Sequence, residues 1–598
     1  MKQRKVIVKE STGRRIIEQS RVRLWCVGFF FLLCFGSIGV RMVDVAVIHK
    51  LRASTVTVTD PDNEDKTVQV DLKSTEPVLQ RGDIVDRNGE LVATSLMTAS
   101  VFVNPKEIKN PEEAAAKLSR TLNIDGKLLL ARLKSGKSFL WIKRYLAPKD
   151  EQRVNALGIP GLYFQPEEKR IYPYANLLAH VTGYVGIDNK GLAGIEKQFD
   201  ARLRDPVRNR EPFALSIDVR LQGMMREEMM KAVEQFQALG ATGIVLDVQS
   251  GELLSMVSLP DFDPNKPGKA EDEARFNRAS LGDYEMGSTF KSFTMAMALE
   301  YKTATMRSSY DATNPLKISS FTIRDAHSMH RWLTVPEIYT HSSNIGAARM
   351  AMEVGAKRQR AFLEKMGMLK PVEIELPERS APLFPTDWKE INTVTISYGH
   401  GISVSPLHLV RGIAALVDGG FLPRLTLLKD GNKTHATSER IISEETAKDI
   451  RRLMRMVVQH GTGSKADVPG YHVGGKTGTA EKVSSGVYDE NAKLTSFIAT
   501  FPVDNPRYVV LVMVDAPKGD ASTHEFATGG WIAAPVVGRM IARMGPLLGI
   551  PPVFDAPGDD AEKFWVNNNN DPVKSVKPIA QPMAVPAVAR KYLHAVAY

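Results

Sequence analysis

Gly287-Ser288-Thr289-Phe290-Lys291-Ser292-Phe293-Thr294-Met295-Ala296-Met297 sets a serine and a lysine three residues apart at the head of an apolar helical run. That spacing along a helix puts two side chains on one face, so Lys291 reaches the Ser288 hydroxyl. A serine is a poor nucleophile at neutral pH until a neighbour takes its proton. A lysine among Phe, Met and Ala is partly desolvated, which favours the neutral amine that a general base requires. Gly287 before Ser288 suggests a helix N-cap, where backbone N–H groups and the positive helix end would face a developing oxyanion. The bland alternatives are a capping serine and a solvated surface lysine.

Two further motifs follow in order: Ser342-Ser343-Asn344, then Lys476-Thr477-Gly478-Thr479. S-x-x-K and S-x-N each occur once in the chain. Singly each is a weak signal, and Lys134-Ser135-Gly136, a similar triplet upstream of the serine, shows how easily such a string arises. The ordered set points to serine acyl transfer. Ser342 is a candidate proton shuttle, and Asn344 an amide that orients Lys291 or a substrate peptide. Both also suit plain capping of a helix over 345–354. Lys476 supplies charge for a substrate carboxylate, while Thr477 and Thr479 add hydroxyls. The glycines around Gly478 fit a strand approached closely by another backbone. The Thr479 N–H can pair with the Ser288 N–H as an oxyanion hole. His327, His330 and His341 lack the Cys or H-E-x-x-H company of a zinc site, so no metal or other cofactor is expected. Gly461-Thr462-Gly463-Ser464-Lys465 lacks the phosphate-loop spacing, and a turn is expected there.

At 598 residues the chain has room for two or more domains. Its net charge of +10 is concentrated: residues 1–23 hold eight Lys/Arg against Glu10 and Glu18. A nucleic-acid-binding surface elsewhere is therefore not expected. Leu24 to Val40 follows without a charge. As a helix it rises ~25 Å, against a hydrocarbon core of ~30 Å, with Arg23 and Arg41 placed to snorkel. Charge before the span puts the N-terminus in the cytoplasm. No small-x-small cleavage site follows, so an uncleaved anchor over 24–42 is expected rather than a signal peptide. Cys26 and Cys34 both lie in that span, leaving the exported part without thiols.

Hairpin patterns at 243–259 and 495–514 bracket helical patterns at 335–354, 406–417 and 444–460, with another helix before them (219–238) and one after (531–544). This implies an α+β domain whose sheet is completed by distant segments. Upstream, 43–75 has the texture of an extended connector. Arg81 to Glu90 suggests strand, turn and strand, with Asn88-Gly89 as a type I′ turn. Helices are expected near 111–123 and 126–134, and a Gly-rich stretch over 180–196. No nucleophile with a base partner lies in this region, so a spacer or docking role is expected. After Gly549 the pattern dissolves, and a mostly disordered tail is expected.

Ser288 to Lys291, Ser342 to Asn344 and Lys476 to Thr479 resemble the three active-site motifs of the penicillin-binding proteins and serine β-lactamases. Arg81 to Glu90 and Gly191-Leu192-Ala193-Gly194-Ile195-Glu196 resemble the pedestal motifs of class B, and no glycosyltransferase domain precedes them, unlike class A. Tyr284 to Lys291, the S-S-N sequence and Ile396-Ser397-Tyr398-Gly399-His400-Gly401 resemble the division-specific, FtsI-type branch. Glu285-Met286 departs from the commoner Glu-Pro.

The resemblance implies a basic cytoplasmic tail (1–23), a transmembrane anchor (24–42), a periplasmic dimerisation-type pedestal (43–212), a transpeptidase domain of antiparallel sheet flanked by helices (213–548) and a tail (549–598). It implies a D,D-transpeptidase in the bacterial inner membrane, also capable of carboxypeptidase chemistry. Ser288 would attack D-Ala-D-Ala stem peptides and be acylated by β-lactams. No Glu between Asn344 and Lys476 has Asn four residues later, so the deacylating segment of class A β-lactamases is missing and slow deacylation is expected. The implied partners are a SEDS-type glycosyltransferase and other divisome proteins. The alternatives are an elongation-specific relative and a non-catalytic β-lactam sensor or scaffold.

Overall fold

The computed structural model describes residues 11–43, 55–59, 67–71, 81–205, 208–429, 440–484 and 487–554. The chain forms two compact units, residues 1–79 and 80–598. In the first, one helix runs Ser11–Val43. The boundary expected after residue 23 is thus a change of composition within a continuous helix. Its window Trp25–Met42, with mean hydropathy 1.7, is long and apolar enough to cross a membrane. Within the region expected to be an extended connector, Thr55–Thr59 pairs antiparallel with Thr67–Asp71.

The second unit opens on a sheet in which Leu91–Val103 pairs with Leu140–Leu146 and Leu162–Ile171. Helices Pro111–Leu122 and Gly126–Leu133 form where expected. Their Leu118, Leu122, Leu129 and Leu133 pack with Val101 and Val103 of the sheet. The turn at Asn88-Gly89 differs from expectation. Only Gly89 has positive φ, at 90°, whereas a type I′ turn needs it at both central residues. The Gly89 N–H donates to Asp86 O (3.1 Å) and the Asp86 N–H to Glu90 O (2.8 Å). The Asp86 carboxylate, accepting from the Asn88 and Glu90 N–H groups, holds this longer loop.

The two pedestal motifs meet through buried charge. Arg81 Nε donates to Glu196 Oε2 at 2.5 Å, Arg81 Nη1 to Asp200 at 2.6 Å, and Arg170 Nε to Glu196 Oε1 at 2.7 Å. Arg81 and Glu196 are fully buried. Gly194, two residues before Glu196, also donates its N–H to the Glu378 carboxylate at 3.2 Å.

Beyond this lies a five-stranded antiparallel sheet. Its order is Gly474–Ser484 at one edge, then Val487–Phe501, Tyr508–Asp515, Gly240–Asp247 and Leu253–Leu259. The last strands of the domain lie between the first pair and the edge, as the distant hairpins required. Both faces are covered, so alternate residues of Tyr508–Asp515 enter different cores. Val510, Val512 and Val514 pack with Met225, Met229, Val537 and Ile541 of helices Val219–Gln235 and Ala533–Leu547. Val509, Leu511 and Met513 pack with Phe293, Ile413, Leu416 and Leu453 of helices Lys291–Glu300, Pro406–Val417 and Glu444–His460. Each such fully buried side chain contributes ~1.5–3 kcal/mol. Helix Lys291–Glu300 is buried from Lys291 to Ala298, so its polar members need internal partners. Thr294 Oγ1 donates to Ser397 O (2.7 Å), and Ser292 and Tyr339 share a hydroxyl contact of 2.7 Å.

The helix expected over 335–354 is two, Val335–Thr340 and Asn344–Val354. Ser342 breaks it at φ 60°, and Ser343 caps the second piece by accepting from the Gly346 N–H at 3.0 Å. Past Gly549, Ile550 packs against the core, and the Val553 N–H donates to Gly470 O at 2.8 Å. The rest of the expected tail, 555–598, lies outside the described residues.

Replacing Glu196 with Ala takes the carboxylate from Arg170 and leaves Arg81 with Asp200. Breaking such a network from one side costs ~3–5 kcal/mol, and denaturant unfolding followed in the full chain is expected to show a loss of that order.

Candidate active site

Ser288 occupies a 3-10 turn, Gly287–Phe290, and the α-helix starts at Lys291. Ser288 is therefore not the N-cap expected: Met286 holds that position for the 3-10 turn and Phe290 for the α-helix. The reason is local: Gly287 has φ 53°, its N–H donates to Gly399 O at 3.2 Å, and a Cβ there would lie 2.7 Å from Thr479 O. Glycine lets the Lys476–Thr479 strand come down against the serine turn. The approach is equally close at Gly478, where a Cβ would lie 2.3 Å from Ser496 Oγ and 3.0 Å from Met286 O.

Four oxygens from three residues in two segments surround Lys291 Nζ: Ser288 Oγ at 2.8 Å, Ser342 O at 2.9 Å, Ser342 Oγ at 3.1 Å and Asn344 Oδ1 at 2.7 Å. The Ser342 and Asn344 carbonyl oxygens can only accept. They occupy the two N–H bonds of a neutral amine and leave its lone pair for the Ser288 hydroxyl. Lys291 is fully buried. Burial drives its pKa well below the ordinary lysine value, the nearby Lys476 charge pushes the same way, and Asp325 opposes both.

Lys476 Nζ is 3.1 Å from the same Ser342 Oγ and 3.2 Å from Thr477 O. That hydroxyl thus bridges the two lysines. Burial alone brings Lys476 down to about 7. Thr479 Oγ1 accepts from the Gly529 N–H at 3.2 Å. All eight residues singled out from the sequence therefore gather in one place. His327 and His330 lie at the surface, and His341 caps the end of helix Val335–Thr340.

Several contributors carried no sequence signal. Asp325 accepts from the Asn344 N–H (2.6 Å), the Ile345 N–H (2.9 Å) and Ser343 Oγ (2.7 Å). Its carboxylate thereby pins the S-S-N turn, yet neither spacing nor periodicity marks an aspartate so far upstream. Thr462 was visible only as part of a glycine-rich turn. Its hydroxyl meets Thr477 Oγ1 at 2.7 Å. Behind Ser288, Glu285 accepts from the Gly401 N–H at 2.7 Å. Burial and then the Lys291 charge bring His400 down to about 4, so its imidazole is neutral at physiological pH.

A buried serine–lysine pair beside a glycine-rich edge strand, on a sheet covered by helices, is the build of a serine acyl-transferase. Two family models match: the penicillin-binding protein transpeptidase domain over residues 241–541 and the penicillin-binding protein dimerisation domain over 77–206. The chain is 41% identical over 484 residues to the probable peptidoglycan D,D-transpeptidase FtsI of Caulobacter vibrioides, covering 79% of this chain and 82% of that one. It is 36% identical to the probable peptidoglycan D,D-transpeptidase PenA of Neisseria meningitidis, covering 79% and 85%. Penicillin-binding protein 3 of Mycobacterium tuberculosis, solved with aztreonam, shares the fold at TM-score 0.63 and 23% identity, over 79% of this chain and 97% of that one. The chain belongs to the class B penicillin-binding proteins.

Truncating Asp325 to Ala frees the S-S-N turn that holds Lys291. A misplacement of ~1 Å at a reacting group costs up to ~10²-fold in rate, so acylation by a fluorescent penicillin is expected to slow ten- to hundredfold while the thermal unfolding midpoint changes little.

Proposed function

We propose that the chain is a peptidoglycan D,D-transpeptidase of the division septum, working through an acyl-enzyme on Ser288. The observation that carries this reading is the Lys291 environment: a fully buried amine 2.8 Å from Ser288 Oγ, with carbonyl oxygens on its N–H bonds.

In the proposed reaction, Lys291 takes the Ser288 proton as Oγ attacks the carbonyl of a D-Ala-D-Ala amide. The oxyanion is received by the Ser288 and Thr479 N–H groups, and losing one such donor typically costs ~10²–10³ in rate. Collapse breaks the amide bond, and the departing D-Ala amine takes a proton relayed from Lys291 through Ser342. An acceptor amine from a neighbouring stem then attacks the ester, with Lys291 again taking the proton. Water in place of that amine gives carboxypeptidase chemistry. Lys476 and Thr477 hold the substrate carboxylate, Gly478 keeps the strand close to the serine turn, and Asn344 orients Lys291 and the peptide. A β-lactam enters the same sequence as a substrate whose leaving group stays attached.

The division assignment is supported by the similarity to the FtsI of Caulobacter vibrioides and by the residues around Ser288 and Asn344. In this reading residues 1–23 are cytoplasmic, 24–42 anchor the chain, 43–212 form a periplasmic pedestal and 213–548 the transpeptidase domain. The proposed partners are a SEDS-type glycosyltransferase and other divisome proteins. Depletion is expected to give filamentous cells; rounded cells would assign the enzyme to elongation.

Ser288→Ala is expected to abolish both the penicillin adduct seen by mass spectrometry and cross-linking of a D-Ala-D-Ala peptide. An adduct retained in this variant removes the mechanism. The second-order acylation rate should be bell-shaped in pH. It rises as Lys291 loses its proton, and falls above about 7 as Lys476 loses the charge that attracts a carboxylate. Lys476→Gln should be slower and lack the alkaline fall.

A further inference from the structure

Tyr339 has no part in the proposed reaction, yet it is built against all three of the motifs that carry it. It is fully buried, on helix Val335–Thr340 just ahead of the break at Ser342. Its hydroxyl meets Ser292 Oγ at 2.7 Å, and Ser292 follows Lys291 on the serine helix. Its carbonyl accepts from the Ser342 N–H at 3.3 Å. Lys476 Nζ lies over its ring, 5.6 Å from the centroid. Two tethers and the surrounding core therefore fix this aromatic face against a single amine.

That amine is fully buried, and burial favours its neutral form. Its near partners, Ser342 Oγ at 3.1 Å and Thr477 O at 3.2 Å, carry no charge. Among the described residues no carboxylate forms an ion pair with it. The charged groups on the elements packed around it do not supply one. Lys291, on the serine helix, repels a Lys476 charge when protonated, and Asp325 acts on Lys291. On the helix of Tyr339 itself, Glu337 pairs with Arg331 at 2.7 Å, and burial lowers His341 just past its end. On helix Glu444–His460, Arg455 pairs with Asp467 at 2.8 Å, and His460 is exposed. Further along the strand, Lys482 pairs with Asp515 at 2.7 Å.

An aromatic face attracts a cation, and most strongly where water is excluded. A carboxylate at the same place would hold the charge but compete with the substrate for it. The ring holds the charge and leaves N–H bonds to a substrate carboxylate. We propose that Tyr339 is a positioning residue whose ring keeps Lys476 cationic for substrate binding. The inference rests on the role given to Lys476 in the acyl-transfer reaction.

The test follows the Lys476 Cε resonance through a pH titration of the full-length protein in detergent micelles, assigned with Lys476→Gln. Wild type is compared with Tyr339→Phe and with a trifluorinated phenylalanine at the same position, which keeps the ring's shape but removes most of its negative face. Tyr339→Phe keeps the ring and leaves the Ser292 hydroxyl without its partner, so it reads the structural cost alone. Its Lys476 midpoint is expected to stay near that of wild type while thermal stability falls. The fluorinated ring is expected to bring the midpoint down by about one pH unit, a roughly tenfold rise in the acid dissociation constant, at the thermal stability of Tyr339→Phe. The alkaline fall of Ser288 acylation by penicillin should move down in pH with it. Equal midpoints in Tyr339→Phe and the fluorinated protein overturn the proposal, because hydroxyl and packing then account for any change from wild type. The titration needs no turnover. A wild type that forms no Ser288 adduct fails the functional reading, and the Lys476 midpoints still decide for or against Tyr339.

Discussion

The structure depends on keeping an amine where an amine is least stable as a cation. Lys291 sits on a helix whose first two turns are buried on every side, so charging it costs the desolvation that water would otherwise offset. The surrounding oxygens turn that cost into chemistry. Two carbonyls fix the N–H bonds and the remaining direction faces Ser288. Every larger feature serves this cage: the 3-10 turn that presents Ser288, the break at Ser342 that brings a carbonyl and a hydroxyl to the same nitrogen, and the edge strand that brings Lys476 near the Lys291 amine.

The charge on Lys476 makes the arrangement selective. Lys476 and Lys291 share Ser342 Oγ, so a charge on either raises the cost of a charge on the other. A substrate carboxylate near Lys476 offsets its charge and relieves that repulsion. Binding and proton transfer are thereby coupled through a single hydroxyl, held by a serine at φ 60°. Such a conformation costs on the order of 1–3 kcal/mol outside glycine, and the Asp325 bonds to Ser343, Asn344 and Ile345 are what keep the turn in place.

Much of this was legible in the sequence because it depends on local period and order. The i, i+3 spacing gave the Ser288–Lys291 contact, apolar runs joined by turn residues gave the hairpins, and the three motifs in order pointed to one site. What escaped depends on tertiary approach. The turn at Asn88-Gly89 took a longer form because the Asp86 carboxylate captures two backbone N–H groups. The helix over 335–354 broke because the site needs Ser342 off the helical path, which propensity does not register. Asp325 and Thr462 act across the fold, and Arg81 finds Glu196 from more than a hundred positions away. Such pairings leave no periodic trace.

The central claim is that position 291 carries an uncharged amine near neutral pH. Its most direct test is an NMR titration of the Lys291 Cε resonance in selectively labelled protein, assigned with Lys291→Arg. The account predicts a midpoint well below the ordinary lysine value of 10.5. A Lys291 that titrates at 10.5 in the folded protein would contradict it.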